Sequence, residues 1–395
     1  MPNRRRHLGL LLALCLASPG AILGAEAAAG AGDRVARLAR RLGAADFSQR
    51  QQAERDILQV GPSALPALQQ AVSSAGLERR RRLERIINVL SRQRREQALS
   101  QLSRRNEPAD PQLLTTWSAF LKLIGNGDES RTLFVEMARY EPWVVDAVAG
   151  SPDELRRDFE RRAADINLQR MQRQQTTRSI ATVAALMFAA LQPDCFPSSS
   201  AVTCINACIQ EGPCLKLMQQ TDRSQPLERL ISVWVANPTA TPAHQRLQLA
   251  AKFGLEEGTD VALQIIEQHL PGPHLQQAIL YLAKAGNASH IHPLELLLDD
   301  NTNLQQRRHH SVTTFSCRVR DVALVALLHL TGQDPEAYGF SVLRKDPNYI
   351  YRTGTIGFET DDERKAAFAK WRRWSAANLK QVQPVVEQAA VGFST

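Results

Sequence analysis

Short amphipathic helices, each stopped by glycine or proline, recur along this chain and constrain its fold more than any other feature. The clearest copy starts at Phe47, stops at Gly61-Pro62 and continues into a second helix at Ala64–Leu68. Another copy covers Gln245–Leu270. Helix pairs of this length cannot bury their apolar stripes alone, so they must stack on neighbouring pairs. The pattern therefore predicts an all-α fold, arranged as a right-handed α-solenoid.

The composition agrees with helix packing. Hydrophobic residues make up 44% of the chain, enough for a core, whereas aromatic residues make up only 6%, which suits packing through alanine and leucine. No segment shows the sustained alternation of valine, isoleucine and aromatic residues that marks a strand. We therefore expect helices throughout.

The first 25 residues are organised like a cleavable secretory signal. A basic start at Arg4–Arg6 is followed by an apolar run, Leu8–Leu16, and by small residues around Gly24-Ala25. The apolar run is too short to span a bilayer, which favours a signal peptide over a membrane anchor. We expect residues 1–25 to be removed and the protein to be exported to the periplasm or cell envelope.

Changes in helix regularity divide the rest of the chain into four predicted parts. Residues 33–105 form a basic set of helical repeats, and residues 106–238 an irregular helical insertion that contains a cysteine cluster. Repeats return over residues 239–332, and residues 333–395 form a loop and a capping helix.

Two local patterns in the insertion predict helices. Ser151-Pro152-Asp153-Glu154 has the residue order of a capping box, with serine before the helix and glutamate three residues later. Ile180–Leu191 is apolar throughout and predicts a buried helix, because it is too short to span a membrane.

Arginine is concentrated near the N-terminus. Arg34–Arg105 contains 16 arginines against 6 acidic residues, and the formal net charge of the chain is +8. Such a surplus is typical of a surface that binds an anionic polymer or a membrane. A solvated helix face is the simpler interpretation, because Leu83, Ile86 and Leu90 give the same helix an inward stripe. Export disfavours a nucleic-acid partner. The candidate anion-binding residues are Arg79, Arg80, Arg81 and Arg82.

Four cysteines lie within 20 residues, at Cys195, Cys204, Cys208 and Cys214. In an oxidising envelope a close, even set predicts disulfide bonds. If Ala201–Gln210 is helical, Cys204 and Cys208 lie on the same face of that helix. Pairing Cys195 with Cys204 and Cys208 with Cys214 then requires the least distortion of the backbone. Zinc held by four thiolates and free thiols are the alternatives, although the spacing lacks the two close pairs of common zinc ribbons.

No catalytic or cofactor motif can be read from the sequence. A nucleophile elbow, a zinc-protease helix and a phosphate-binding loop are all missing. Arg320-Asp321, at the start of an apolar helix, predicts a structural charge pair rather than a catalytic carboxylate. We therefore expect a non-enzymatic protein with no cofactor and no metal. An enzyme that uses residues 106–238 is the weakest alternative, because no acid–base pair can be read there.

The regular segments resemble HEAT or armadillo-type helical repeats over Asp46–Val72 and Gln245–Leu298. The C-terminal part is more specific and resembles the ending of a group of exported bacterial HEAT-like proteins that have no established activity. The strings that carry this resemblance are Val319–Leu324, His329–Asp334, Tyr338–Phe340, Gly357-Phe358 and Lys370–Trp374. The resemblance covers about half of the chain and leaves out the cysteines.

The resemblance implies a scaffold or binding protein and supplies no catalytic residues. The expected function is protein–protein interaction in the periplasm or envelope, with an envelope protein as the unidentified partner. The alternative is binding to an anionic polymer or membrane surface through the arginine-rich helix.

Overall fold

The structure is a computed structural model that describes residues 32–106, 110–172, 179–218, 225–239, 241–270, 272–309 and 313–379. The predicted signal peptide, residues 1–25, lies outside the described residues. The chain divides into two compact units, residues 1–111 and residues 112–395. Helices dominate both units, which confirms the all-α class.

The first unit consists of helices that follow the predicted helix–stop–helix pattern. They are α1 (32–41), α2 (Phe47–Val60), α3 (Leu65–Ser73) and α4 (Leu77–Ser103). Asp46 caps α2 through its side chain, and Gly61 ends the helix with a φ of 77° that favours glycine. Leu83, Ile86 and Leu90 of α4 are buried in the same core as the apolar residues of α1 to α3, so the predicted inward stripe is confirmed.

The second unit begins with helices that surround one buried helix. They are α5 (Pro111–Ile124), α6 (Asp128–Tyr140), α7 (Pro142–Ala147), α8 (Pro152–Met171), α9 (Ile180–Ala190), α10 (Ser199–Ile209), α11 (Gly212–Met218) and α12 (Gln225–Ala236). Every residue of α9 after Ile180 is buried, and α6, α7, α8, α10 and α12 pack on it. The buried helix predicted over Ile180–Leu191 is confirmed.

Local chain signals set the ends of these helices. The side chain of Ser151 accepts a hydrogen bond from the Glu154 amide at 3.4 Å, and Glu154 accepts one from the Ser151 amide at 3.1 Å. The predicted capping box of α8 is therefore confirmed. Helix α11 begins at Gly212-Pro213, because proline fits the first turn of a helix.

The remainder of the second unit contains helices that pack in chain order. They are α13 (Ala243–Phe253), α14 (Gly258–Glu267), α15 (Gly272–Ala285), α16 (Ile291–Glu295), α17 (Val319–Leu330) and α18 (Asp361–Asn378). Each helix from α12 to α14 packs on the next one along the chain, α17 packs on α15, and α18 packs on α17. At Gly258 a Cβ atom would lie 2.5 Å from Tyr281, so α14 and α15 approach too closely for any other residue there.

A two-stranded hairpin, β1 (Asn303–His309) and β2 (Thr313–Arg318), departs from the expectation of helices throughout. The strands are antiparallel, with Gln305 opposite Cys317. Strand β1 is almost entirely polar, so it carries no apolar alternation that sequence inspection could detect. The amide of Ser316 also donates to the carbonyl of Phe358 at 3.0 Å, a contact made across more than forty residues.

A buried ion pair holds α18 against α17. Nε of Arg364 donates to both carboxylate oxygens of Asp321, at 3.0 and 3.2 Å, and the two side chains are 2% and 0% exposed. Nη2 of Arg364 donates to the carbonyl and hydroxyl of Ser316 at 3.1 and 2.8 Å. Asp321 thus has the structural role predicted for it, although its partner is Arg364 rather than Arg320.

Candidate binding surfaces

The four predicted anion-binding arginines divide into two groups at the start of α4. Arg79 donates to the carbonyl of Ser74 at 2.7 Å, and Arg82 forms an ion pair with Glu78 at 2.8 Å. Arg80 and Arg81 are exposed and form no ion pair or hydrogen bond with the described residues. Arg79 and Arg82 therefore stabilise the start of the helix, and of these four arginines only Arg80 and Arg81 are available to a partner.

Two arginines that the sequence analysis did not select extend the exposed surface along α4. Arg85 and Arg92 lie four and eleven residues beyond Arg81, which is close to whole helical turns, so the three share the side opposite the core. Asn88 lies on the same side, and Val89 is 41% exposed beside it. We call this surface the arginine face: Arg81, Arg85, Asn88, Val89 and Arg92. Their positions on the helix, opposite the inward stripe of Leu83, Ile86 and Leu90, could have identified these residues from the sequence.

A groove with an acidic edge and an apolar floor lies on the second unit. Its volume is about 580 Å³. Helices α6, α9, α11 and α12 form its walls. We call it the acidic groove; its lining residues are Asp128, Glu129, Thr132, Leu133, Glu136, Ile180, Leu217, Pro226 and Leu227. The lining residues come from four segments spread over residues 128–227, so no sequence spacing could have revealed the groove.

The acidic edge of the groove is available to a ligand. Glu129, Thr132 and Glu136 are exposed on one side of α6, and Leu133 between them is 8% exposed. Glu129 and Glu136 form no ion pair with the residues that the structure describes. An exposed, unpaired carboxylate favours a cationic partner. The helix dipole favours acidic residues in the first turn of a helix, and this explains the presence of Glu129. It does not explain Glu136, which lies beyond the first turn.

The predicted cysteine cluster lies on α10, on α11 and just before α10. Cys204 and Cys208 stand one turn apart on α10, which confirms the helix assumed for them, and Cys195, Cys204, Cys208 and Cys214 are all buried. The described part of the chain contains no disulfide bond. The pairing of Cys195 with Cys204 and of Cys208 with Cys214 stays a prediction. Burial raises the pKa of Cys195 to about 11 and that of Cys214 to about 12.

One group of polar side chains in the second unit, Glu141, Arg162 and Thr182, is joined by hydrogen bonds. Glu141 accepts hydrogen bonds from Arg162 at 2.6 and 2.7 Å and from Thr182 at 2.8 Å. The hydrogen bond to Glu141 raises the pKa of Arg162. Among the described residues, no group of three or more histidines, cysteines and carboxylates could hold a metal ion. These contacts brace helices against one another.

Two histidines are stacked in the first turns of α13 and α15. The ring centroids of His244 and His274 lie 4.5 Å apart. Burial lowers the pKa of His244, and the neighbouring charge of His274 lowers it further. The positive end of a helix dipole also disfavours a cation in a first turn. The folded state therefore favours the neutral ring of His244.

Comparison with known proteins gives no match, whether to family models, to curated proteins or to solved structures. No helix in the described ranges is long and apolar enough to cross a membrane.

Proposed function

We propose that this chain is a non-enzymatic docking protein of the periplasm or cell envelope, and that the acidic groove is its docking surface. The groove itself is the observation that carries the proposal. It offers an apolar floor, including Ile180 and Leu227, beside the unpaired carboxylates of Glu129 and Glu136. An apolar centre with a charged rim is the usual composition of a protein interface.

We further propose that α13 to α17, in the repeat segment expected over residues 239–332, stack as HEAT-like helix pairs of a right-handed α-solenoid, closed by α18 as a cap. The packing of α13 on α14, of α14 on α15 and of α17 on α15 supports this arrangement, as does the additional contact of α13 with α15. The helices around α9 then form the irregular insertion, because a helix enclosed by five others belongs to a bundle rather than to a stack of pairs.

Site-specific photo-crosslinking tests the docking proposal. A photoreactive amino acid replaces Thr132 in the acidic groove or, as a matched control, the exposed Gln248 of α13. We expect illumination of cells to give a discrete adduct from position 132 and none from position 248. The adduct should disappear when Leu133 is also replaced by arginine. Equal labelling at both positions, or no adduct from position 132, would contradict the proposal.

The arginine face supports a second candidate function, which is binding to an anionic polymer or membrane surface. Three exposed guanidinium groups on one side of α4 provide the positive charge that such a surface requires. The export signal predicted at residues 1–25 would bring the protein to anionic lipids.

Vesicle binding tests this second candidate. Arg81→Gln/Arg85→Gln removes two charges from the arginine face, and Arg372→Gln/Arg373→Gln removes two exposed charges from α18 as a control. We expect vesicles with 30% anionic lipid to bind the control as well as they bind the unaltered protein. The α4 variant should bind about thirtyfold more weakly, because two charges at roughly 1 kcal/mol each near the surface amount to about 2 kcal/mol. Equal binding of the two variants, or binding that is insensitive to salt, would refute this function.

A further inference from the structure

The acidic groove and the arginine face carry matching side chains at the same spacing. On α6 the groove is lined by Glu129, Thr132, Leu133 and Glu136, which is an acid, a polar residue, an apolar residue and an acid at positions i, i+3, i+4 and i+7; of these four, Leu133 is buried. On α4 the sequence Arg85, Asn88, Val89 and Arg92 places a base, a polar residue, an apolar residue and a base at those same positions. Each set spans about 10 Å along its helix, because a helix rises 1.5 Å per residue.

We propose that the occupant of the acidic groove is the arginine face of a second copy of this chain. This inference rests on the proposed docking function and names its partner. Two exposed helix segments with opposite charges at equal spacing can lie side by side, with each arginine opposite one glutamate. In that arrangement Val89 packs against the apolar floor of the groove.

The exposure of the side chains fits this pairing. Val89 is 41% exposed on the flank of α4, so part of its apolar surface is uncovered. Leu133 is 8% exposed, and Leu217 and Leu227 lie beside it in the groove, so an apolar side chain from a partner finds apolar neighbours there. Arg85 and Arg92 are exposed, and neither is engaged by a described residue.

The contact joins two different surfaces of the same protein. An interface of this kind is heterologous, so each copy retains a free groove or a free face that can bind a further copy. Assembly therefore proceeds beyond a single contact unless the copies close into a ring. We expect the average mass in solution to rise with protein concentration and to fall when salt screens the charges.

Charge exchange between the two surfaces tests the inference with the full chain. The acidic edge is reversed in Glu129→Arg/Glu136→Arg, and the arginine face is reversed in Arg85→Glu/Arg92→Glu. The control Glu256→Arg/Glu267→Arg reverses two exposed carboxylates of α13–α14 that do not line the groove. Average mass is measured by sedimentation velocity over a hundredfold range of protein concentration.

We expect the unaltered chain and the control to associate with increasing concentration, and each surface variant alone to stay monomeric. An equimolar mixture of the two surface variants should associate, because the unaltered arginine face of one variant still matches the unaltered acidic groove of the other, and the two reversed surfaces also match. This restoration also shows that both variants fold. The inference is overturned if the unaltered chain stays monomeric, if either surface variant associates as strongly as the control, or if the mixture fails to associate. A Thr132 adduct with a different protein, together with a monomeric chain, would overturn the second copy and keep the docking function. Failure to form any adduct, together with a monomeric chain, would overturn both.

Discussion

Replacing Arg364 with methionine is expected to destabilise the second unit strongly. The change keeps much of the aliphatic side chain but removes the guanidinium that donates to Asp321 and to Ser316. Asp321 then remains buried with one backbone amide as its donor, that of Arg318 at 2.9 Å. Breaking a buried pair by removing one partner costs about 3–5 kcal/mol, because it leaves an uncompensated charge. The contact of Arg364 with Asp361 adds little, because that carboxylate is 59% exposed.

The neighbouring Lys365 provides a matched control on the same helix. Lys365 pairs with Asp362 at 3.0 Å, and both side chains are largely exposed. An exposed pair contributes about 0–1 kcal/mol, so Lys365→Met should change the free energy of unfolding by less than about 1 kcal/mol. Chemical denaturation followed by tryptophan fluorescence, to which the buried Trp371 of α18 contributes, measures both variants. Equal effects of the two substitutions would refute a buried, energetically important pair.

The Arg364 variant also has an expected pH dependence. Burial raises the pKa of Asp321, and the hydrogen bond from Arg364 is the largest effect that lowers it. Without Arg364 the folded state favours the protonated acid more strongly, whereas the unfolded state keeps the ordinary pKa of an aspartic acid. The variant should therefore lose less stability at pH 5 than at pH 8. A loss that is greater at pH 5 would contradict this explanation.

Two further predictions concern buried titratable groups. In the reduced native protein at pH 8, Cys195, Cys214 and Cys317 should resist alkylation until urea unfolds the chain. Burial raises their pKa values to about 11, 12 and 12, so little reactive thiolate is present. Mass spectrometry counts the labelled thiols, and rapid labelling of the native protein would contradict this prediction. The lowered pKa of His244 means that the folded state favours the neutral ring, so the free energy of unfolding should fall as the pH drops below about 6.5, the ordinary histidine pKa. His244→Gln should flatten that fall in denaturation curves between pH 5 and 8, and an unchanged slope would exclude the stacked pair as its source.

Features that depend on neighbouring residues in the chain were predicted well. The capping box at Ser151 and the buried helix after Ser179 follow from short patterns in the sequence, because a cap acts within one turn and a continuous apolar run is visible along the chain. The inward stripe of α4 was found because amphipathicity acts within one or two turns. Exposure of individual arginines was predicted only in part. Arg79 bonds to the carbonyl of Ser74, whose position depends on the loop before the helix, whereas Arg82 pairs with Glu78 one turn earlier in α4, a spacing that the sequence does show.

Features that depend on distant residues were missed. Strand β1 pairs with β2 through its backbone, and its Leu304 lies close to Gly272. Because neither contact requires alternating apolar residues, the polar sequence of β1 does not indicate a strand. Arg364 meets Asp321 across 43 residues, and a lone arginine on an exposed helix gives no indication of such a partner. The acidic groove needs residues from four helices. In each case the determining contact is tertiary, and one sequence contains no pairing information for it.

Accessibility of the acidic groove in the intact envelope tests the docking account most directly. Thr132→Cys and, as the control, Gln248→Cys are each labelled with a maleimide, both in dilute purified protein and in intact cells. Both positions are exposed in the structure. We predict that position 132 reacts freely in dilute solution and is protected in cells, whereas position 248 reacts in both. Equal labelling of the two positions in cells would contradict the claim that the groove is a docking surface.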